Sequence, residues 1–127
     1  MTKYIKADEF YYPYQVKKAG YLAIEGDTFG SWQAEVPSDA EIIDYTGYSI
    51  APGLVDTHIH GFAGADVMDN SQESLETMSQ ALLGAGVTSF LPTGLTASFE
   101  TLDNICRTAA SFVGQESGAR IQGLFFE

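Results

Sequence analysis

Both histidines of the chain stand two residues apart, as His58 and His60, inside the stretch APGLVDTHIHGFAGADVMD at 51–69. On a strand, side chains i and i+2 share a face, so two imidazoles at this spacing can reach one divalent cation. Asp56 extends the same row by one step. The alternative is a hydrogen-bonded histidine pair at a strand end. Glu127 is the second candidate ligand: it follows the apolar GLFF at the end of a third β-like segment, as the histidines follow the first. In parallel α/β folds the C-terminal ends of the strands build the active face. A carboxylate there helps to neutralise a divalent ion or bridges two; otherwise it is a solvated end.

The neighbouring residues carry weaker signals. The glycines of HGFAGAD lack the spacing of a phosphate loop, but Gly61 and Gly64 could let the backbone approach a ligand. Thr93, at the end of a second strand, could reach the same pocket. Pro52-Gly53 reads as a turn between two kinds of structure. Tyr11, Tyr12 and Tyr14 read as packing residues. Cys106 falls on the apolar stripe of a helix and reads as core.

These candidates need elements to position them. From Lys3 to about Ile50 the segments KYIKADEFYY, YQVKKAGYLAIEG, FGSWQAEV and EIIDYTGYSI are short and β-like, and EGDTFG at 25–30 reads as a hairpin turn. A small antiparallel β unit is expected there. After Pro52 the pattern becomes strand, helix, strand, helix, strand. GLVDTHI opens it. Asn70 can cap a helix with Glu73 at its third position, carrying Leu75, Met78, Leu82 and Ala85 until Gly84 and Gly86 stop it. The strand VTSFLPT follows, and Ser98 caps a second helix with Phe99, Leu102, Ile105, Cys106, Ala109, Phe112 and Val113 on one face. RIQGLFFE is a third strand.

Such alternation implies a parallel sheet with right-handed crossovers. Three strands with two helices leave a sheet edge open, and no turn or cap follows Glu127, so a truncated protein is expected. The 17 acidic and 6 basic residues give a net charge of -11, which argues against nucleic acid and anionic membrane surfaces as partners. No segment approaches the roughly 20 apolar residues of a membrane span. One cysteine cannot form an internal disulfide, which points to a reducing cytoplasm.

The run IIDYTGYSIAPGLVDTHIHG resembles the signature of the amidohydrolase superfamily, in which a β-sandwich hands over to a metal-bearing (β/α)8 TIM barrel whose first strand ends in His-x-His. HGFAGADVMD, GVTSFLPTGLT and GLFFE narrow the resemblance to the N-acetylglucosamine-6-phosphate deacetylase family. It spans nearly the whole chain and is weakest before Gly20. The resemblance implies an α/β chain with a small β unit: residues 1–51 as part of the sandwich, and 52–127 as the first three strands and two helices of an incomplete barrel.

Carried over by position, His58 and His60 hold one metal, and Glu127 holds or bridges a metal. That family takes a Glu from the end of the third strand, usually within Leu-Glu-Gly-Pro; Phe126-Glu127 is the match here. Dihydroorotase, hydantoinase and urease relatives instead use a carboxylated lysine from a fourth strand. The implied cofactor is a divalent metal (zinc, iron or manganese), one or two ions. The implied reaction is hydrolysis of the N-acetyl group of N-acetylglucosamine 6-phosphate to glucosamine 6-phosphate and acetate. The family's general-base aspartate and further histidines lie on later strands, so no catalytic residue is assigned within these 127 residues, and the isolated chain is expected to be inactive. Basic groups for the substrate phosphate must come from elsewhere in the protein or from a partner subunit, and a homodimer is implied for the full-length protein. Competing readings are another amidohydrolase, such as a nucleobase deaminase, and a non-catalytic module that binds metal or a partner.

Overall fold

A computed structural model describes residues 2–127, which divide into two compact units with the boundary between Pro52 and Gly53. The first unit is one five-stranded sheet organised around β1 (Thr2–Tyr12). Along one side of β1 run β2 (Gln15–Lys18) and β3 (Tyr21–Glu25), both antiparallel to it. They behave as one strand kinked at Ala19 and Gly20, both with positive φ, where the Ala19 N–H bonds Asp8 O at 2.6 Å. A Cβ on Gly20 would lie 2.8 Å from Trp32 Nε1, which itself donates to Ala19 O. β4 (Thr28–Gln33) returns from β3 through the turn expected at Gly26-Asp27.

On the other side of β1, β5 (Glu41–Ile50) pairs in parallel. The sheet is therefore mixed, where an antiparallel unit was expected. A parallel partner needs no local turn, so nothing between residues 34 and 40 announces it. The unit's core is Ala7, Phe10 and Leu22, with Tyr12, Trp32 and Ile50 against it. Of the three tyrosines expected to pack, only Tyr12 does so; Tyr11 is half exposed and Tyr14 fully exposed.

The second unit is the predicted alternation. β6 (Leu54–Ile59) is followed by a hairpin of β7 (Gly61–Phe62) and β8 (Ala65–Asp66), and then a 3₁₀ turn at Val67–Asp69. Next come α1 (Gln72–Gly84), β9 (Val87–Gly94), α2 (Phe99–Phe112), β10 (Arg120–Ile121) and β11 (Phe125–Phe126). β9 is central: β6 lies parallel on one side, and β10 and β11, two pieces of a single interrupted strand, lie parallel on the other. Spatial order follows chain order without reversal, as it does in a (β/α) barrel.

The α1 cap is Ser71, not Asn70, and its side chain accepts from Ser74 N. Asn70 adopts the left-handed conformation (φ 52°) that ends the preceding 3₁₀ turn, a role suited to its short polar side chain. Ser98 caps α2 as expected. Leu75, Met78 and Leu82 of α1 meet Ile105, Ala109 and Phe112 of α2 over Val87 and Phe90. Cys106 is half-buried at the margin of this face, and Phe99 is exposed.

Loop fastenings complete the unit. The buried Glu116 carboxylate accepts from Gly114 N and Ile121 N, which seats β10. Glu76 on α1 accepts from the Ser117 hydroxyl and N–H, and the hydroxyl's hydrogen bond holds its carboxyl below the usual range. No helix among the described residues is long and apolar enough to cross a membrane.

Candidate metal centre

Two strand ends converge. His58 and His60 come from the end of β6, and Glu127 from the residue after β11. Nε2 of His58 lies 3.3 Å from Nε2 of His60, and Glu127 Oε2 lies 3.1 Å from His60 Nε2 and 3.4 Å from His58 Nε2. All ligand atoms of the trio fall within 4.8 Å of one another, and among the described residues it is the group of His, Cys, Asp and Glu side chains able to share one ion. Donors about 2.1 Å from a tetrahedral ion lie roughly 3.4 Å apart, so this triangle has the size a divalent cation requires.

The two histidines do not converge through simple strand alternation. Between Asp56 and Ile59 the register against β9 slips: Asp56 pairs with Phe90, while Ile59 pairs with Pro92. Three steps along β6 match two along β9, and a bulge of this kind re-aims side chains at a strand end. Asp56 is not a third ligand in the row. Its carboxylate turns back to accept the His58 backbone N–H at 3.0 Å.

The hydrogen-bond pattern settles how His60 presents itself. Its Nδ1 lies 3.0 Å from Thr93 O. A carbonyl can only accept, so Nδ1 carries a proton, and whenever the ring is neutral its lone pair is at Nε2. That lone pair faces a carboxylate oxygen and a second imidazole nitrogen. Two imidazole nitrogens and one carboxylate oxygen grouped this closely could hold a divalent cation.

His58 is held differently, with the Phe125 ring edge-on at 5.0 Å between centroids. Glu127 is fixed through its backbone: its N–H bonds Gly94 O at 3.2 Å, and its carbonyl accepts from Thr96 Oγ1 at 2.9 Å. Gly94 must lack a side chain, because a Cβ there would lie 2.7 Å from the Phe126 ring. The side chains of His58, His60 and Glu127 remain 46%, 33% and 58% exposed, so a small molecule can reach the triangle from solvent.

The remaining candidates serve the scaffold. Ala63 and Gly64, both at positive φ, form the two-residue turn of the β7–β8 hairpin. A Cβ on Gly61 would lie 2.6 Å from Ala65 O, so the missing side chain serves the hairpin pairing. The Thr93 hydroxyl is buried and bonded to the two strands. Sequence reasoning missed the Thr93 carbonyl, the Asp56 turn and the Thr96 hydroxyl. A main-chain oxygen has no residue-type signature, and the two side-chain contacts depend on the bulge and on β11 reaching β9.

Residues 49–126 match the Amidohydrolase family. The N-acetylglucosamine-6-phosphate deacetylase of Vibrio furnissii is 37% identical over 89 residues, covering 69% of this chain and 22% of that protein. The enzyme of the same name from Bacillus subtilis is 32% identical over 120 residues, covering 89% of this chain and 30% of its own length. Among solved structures, N-acetylglucosamine-6-phosphate deacetylase from Pasteurella multocida superimposes with a TM-score of 0.85 at 25% identity, over 99% of this chain and 34% of that one. The chain thus spans less than a third of the curated relatives it matches here.

Proposed function

This chain belongs to the amidohydrolase family, and from that membership together with the triangle of His58, His60 and Glu127 we propose that it supplies part of the metal site of an N-acetylglucosamine-6-phosphate deacetylase. The observation that carries the reading is the meeting of Glu127 with both histidines across two neighbouring strands. A glutamate at the end of the third strand is what the resemblance to the deacetylase family leads one to expect, and the relatives described above bear that enzyme's name.

His58 and His60 each offer one neutral nitrogen, and Glu127 contributes the negative charge that a divalent cation needs for retention. When bound, a divalent ion supplies positive charge that lowers the pKa of water and polarises an amide carbonyl. The protein's own work is orientation. Thr93 O keeps the His60 ring in one tautomer, Gly94 O and Thr96 Oγ1 hold Glu127, and Phe125 limits the swing of His58. In this reading the acetamide of the sugar lies over the open side of the triangle. The general-base aspartate and the cations that meet the substrate phosphate belong to parts of the protein outside these 127 residues. A cytoplasmic homodimer using one or two ions completes the proposal; the single cysteine supports the compartment.

The test is acetate release from N-acetylglucosamine 6-phosphate by the full-length protein, with elemental analysis of bound metal. His58→Ala combined with His60→Ala should lower metal content and turnover together. Unchanged metal content in the double variant would reject the site. The 127-residue chain, supplied with zinc, manganese or iron(II), should not exceed the metal-only blank, because a site this exposed does not exclude water from the reacting groups.

A further inference from the structure

We propose that Thr93 is the positioning residue of the metal centre, fixing the backbone between the two histidines with its hydroxyl and the tautomer of His60 with its carbonyl; this rests on the metal-site reading above. Thr93 is fully buried. Its Oγ1 accepts the Ile59 N–H at 3.1 Å and donates its own proton to Leu91 O, also at 3.1 Å. Its carbonyl accepts from His60 Nδ1 at 3.0 Å. Ile59 is the residue between the histidines, so anchoring its N–H fixes the peptide units from which both rings leave.

The need for such an anchor arises at the register slip. Three steps of β6 are matched to two of β9 there, and the Ile59 N–H at the end of the slip is met by the Thr93 hydroxyl. This hydroxyl fills the gap left by the regular pairing. It bridges in both directions, accepting from β6 and donating within β9, and so ties the bulged strand to the straight one. A threonine present only for its β-branched shape could be valine with no polar consequence. Here valine would leave the part-buried Ile59 N–H without this partner, and the backbone would relax where two ligands are aimed.

Groups that orient metal-ligating histidines change affinity by about 10–100-fold when removed. The experiment is chelator competition with Co(II) on the full-length protein, together with its visible absorption spectrum, for wild type, Thr93→Val, Thr93→Ser and His60→Ala. Thr93→Val should weaken Co(II) by about 10–100-fold and alter the spectrum, while Thr93→Ser, which keeps the hydroxyl, should keep most of the affinity and the wild-type spectrum. Wild-type binding and spectrum in Thr93→Val, alongside loss in His60→Ala, would overturn the positioning role and leave the metal site standing. An equal loss in the Ser and Val variants would assign the effect to disturbed packing at a buried position rather than to the hydroxyl and also overturn it. Equal Co(II) binding by wild type and His60→Ala would reject the metal site itself, and the inference with it. Nitrogen NMR of the metal-free wild-type protein gives a reading independent of variant stability: the neutral His60 ring should carry its proton on Nδ1, and a proton on Nε2 would contradict the proposal.

Discussion

His60 is clamped by hydrogen bonding and His58 by ring contact, so the two ligands of one motif differ in how firmly they are aimed. Glu127 differs again, since its backbone is tied to Gly94 and Thr96 while its carboxylate is more than half exposed. That combination makes charge, rather than shape, its main contribution. Glu127→Gln should therefore preserve the fold and the backbone bonds to β9 but retain less metal after dialysis against a chelator, by about tenfold or more, because a neutral amide oxygen replaces an anionic ligand. Full metal retention in that variant would remove Glu127 from the centre. The trio was legible in the sequence as residue types at strand ends. Its cause was not: the i, i+2 rule describes an unbulged strand, and the slip between Asp56 and Ile59 is set by pairing with a partner more than thirty residues away.

At the scale of elements, the segments with strong local signals were legible and those defined by distant partners were not. α2 begins at its expected cap, Ser98, because Ser98 Oγ meets Thr101 N within four residues of sequence. The parallel pairing of β1 with β5 and the division of the last strand into β10 and β11 depend on contacts that no short window contains. Ser79 is the fullest case. It reads as an unremarkable polar position on α1, yet it is fully buried. Its hydroxyl donates to Ala119 O at 2.9 Å and accepts from Gly118 N at 3.1 Å, and its carbonyl accepts from Ala119 N. The helix thereby hydrogen-bonds the segment that leads into β10. Ser79→Ala should destabilise the chain by about 1–3 kcal/mol, since two buried backbone groups lose their partner. A lower denaturant midpoint at unchanged slope is the expected reading, and an unchanged midpoint would show that water replaces the hydroxyl.

For the molecule as a whole, the acidic balance matters chiefly through what it leaves undone. Six basic residues against seventeen acidic ones provide little to attract a sugar phosphate, so the proposed activity depends on cations from outside these residues. The contact between His60 and Glu127 has a different consequence, because the two residues stand 67 positions apart. An ion held by both is a reversible cross-link around a loop containing both helices and β9. Ligands that bind only the folded state add about 2.7 kcal/mol at a hundredfold excess over Kd. That gain should be felt most where the loop closes. Amide hydrogen exchange at Phe125, Phe126 and Glu127 should slow when zinc is added, and the Gln122 amide, already bonded to Phe90 O, should change less. Uniform slowing across both would mean that the ion stabilises the unit globally. A larger change at Glu127 would make the metal a latch against local fraying, and the order of β11 a gauge of how much ion is bound.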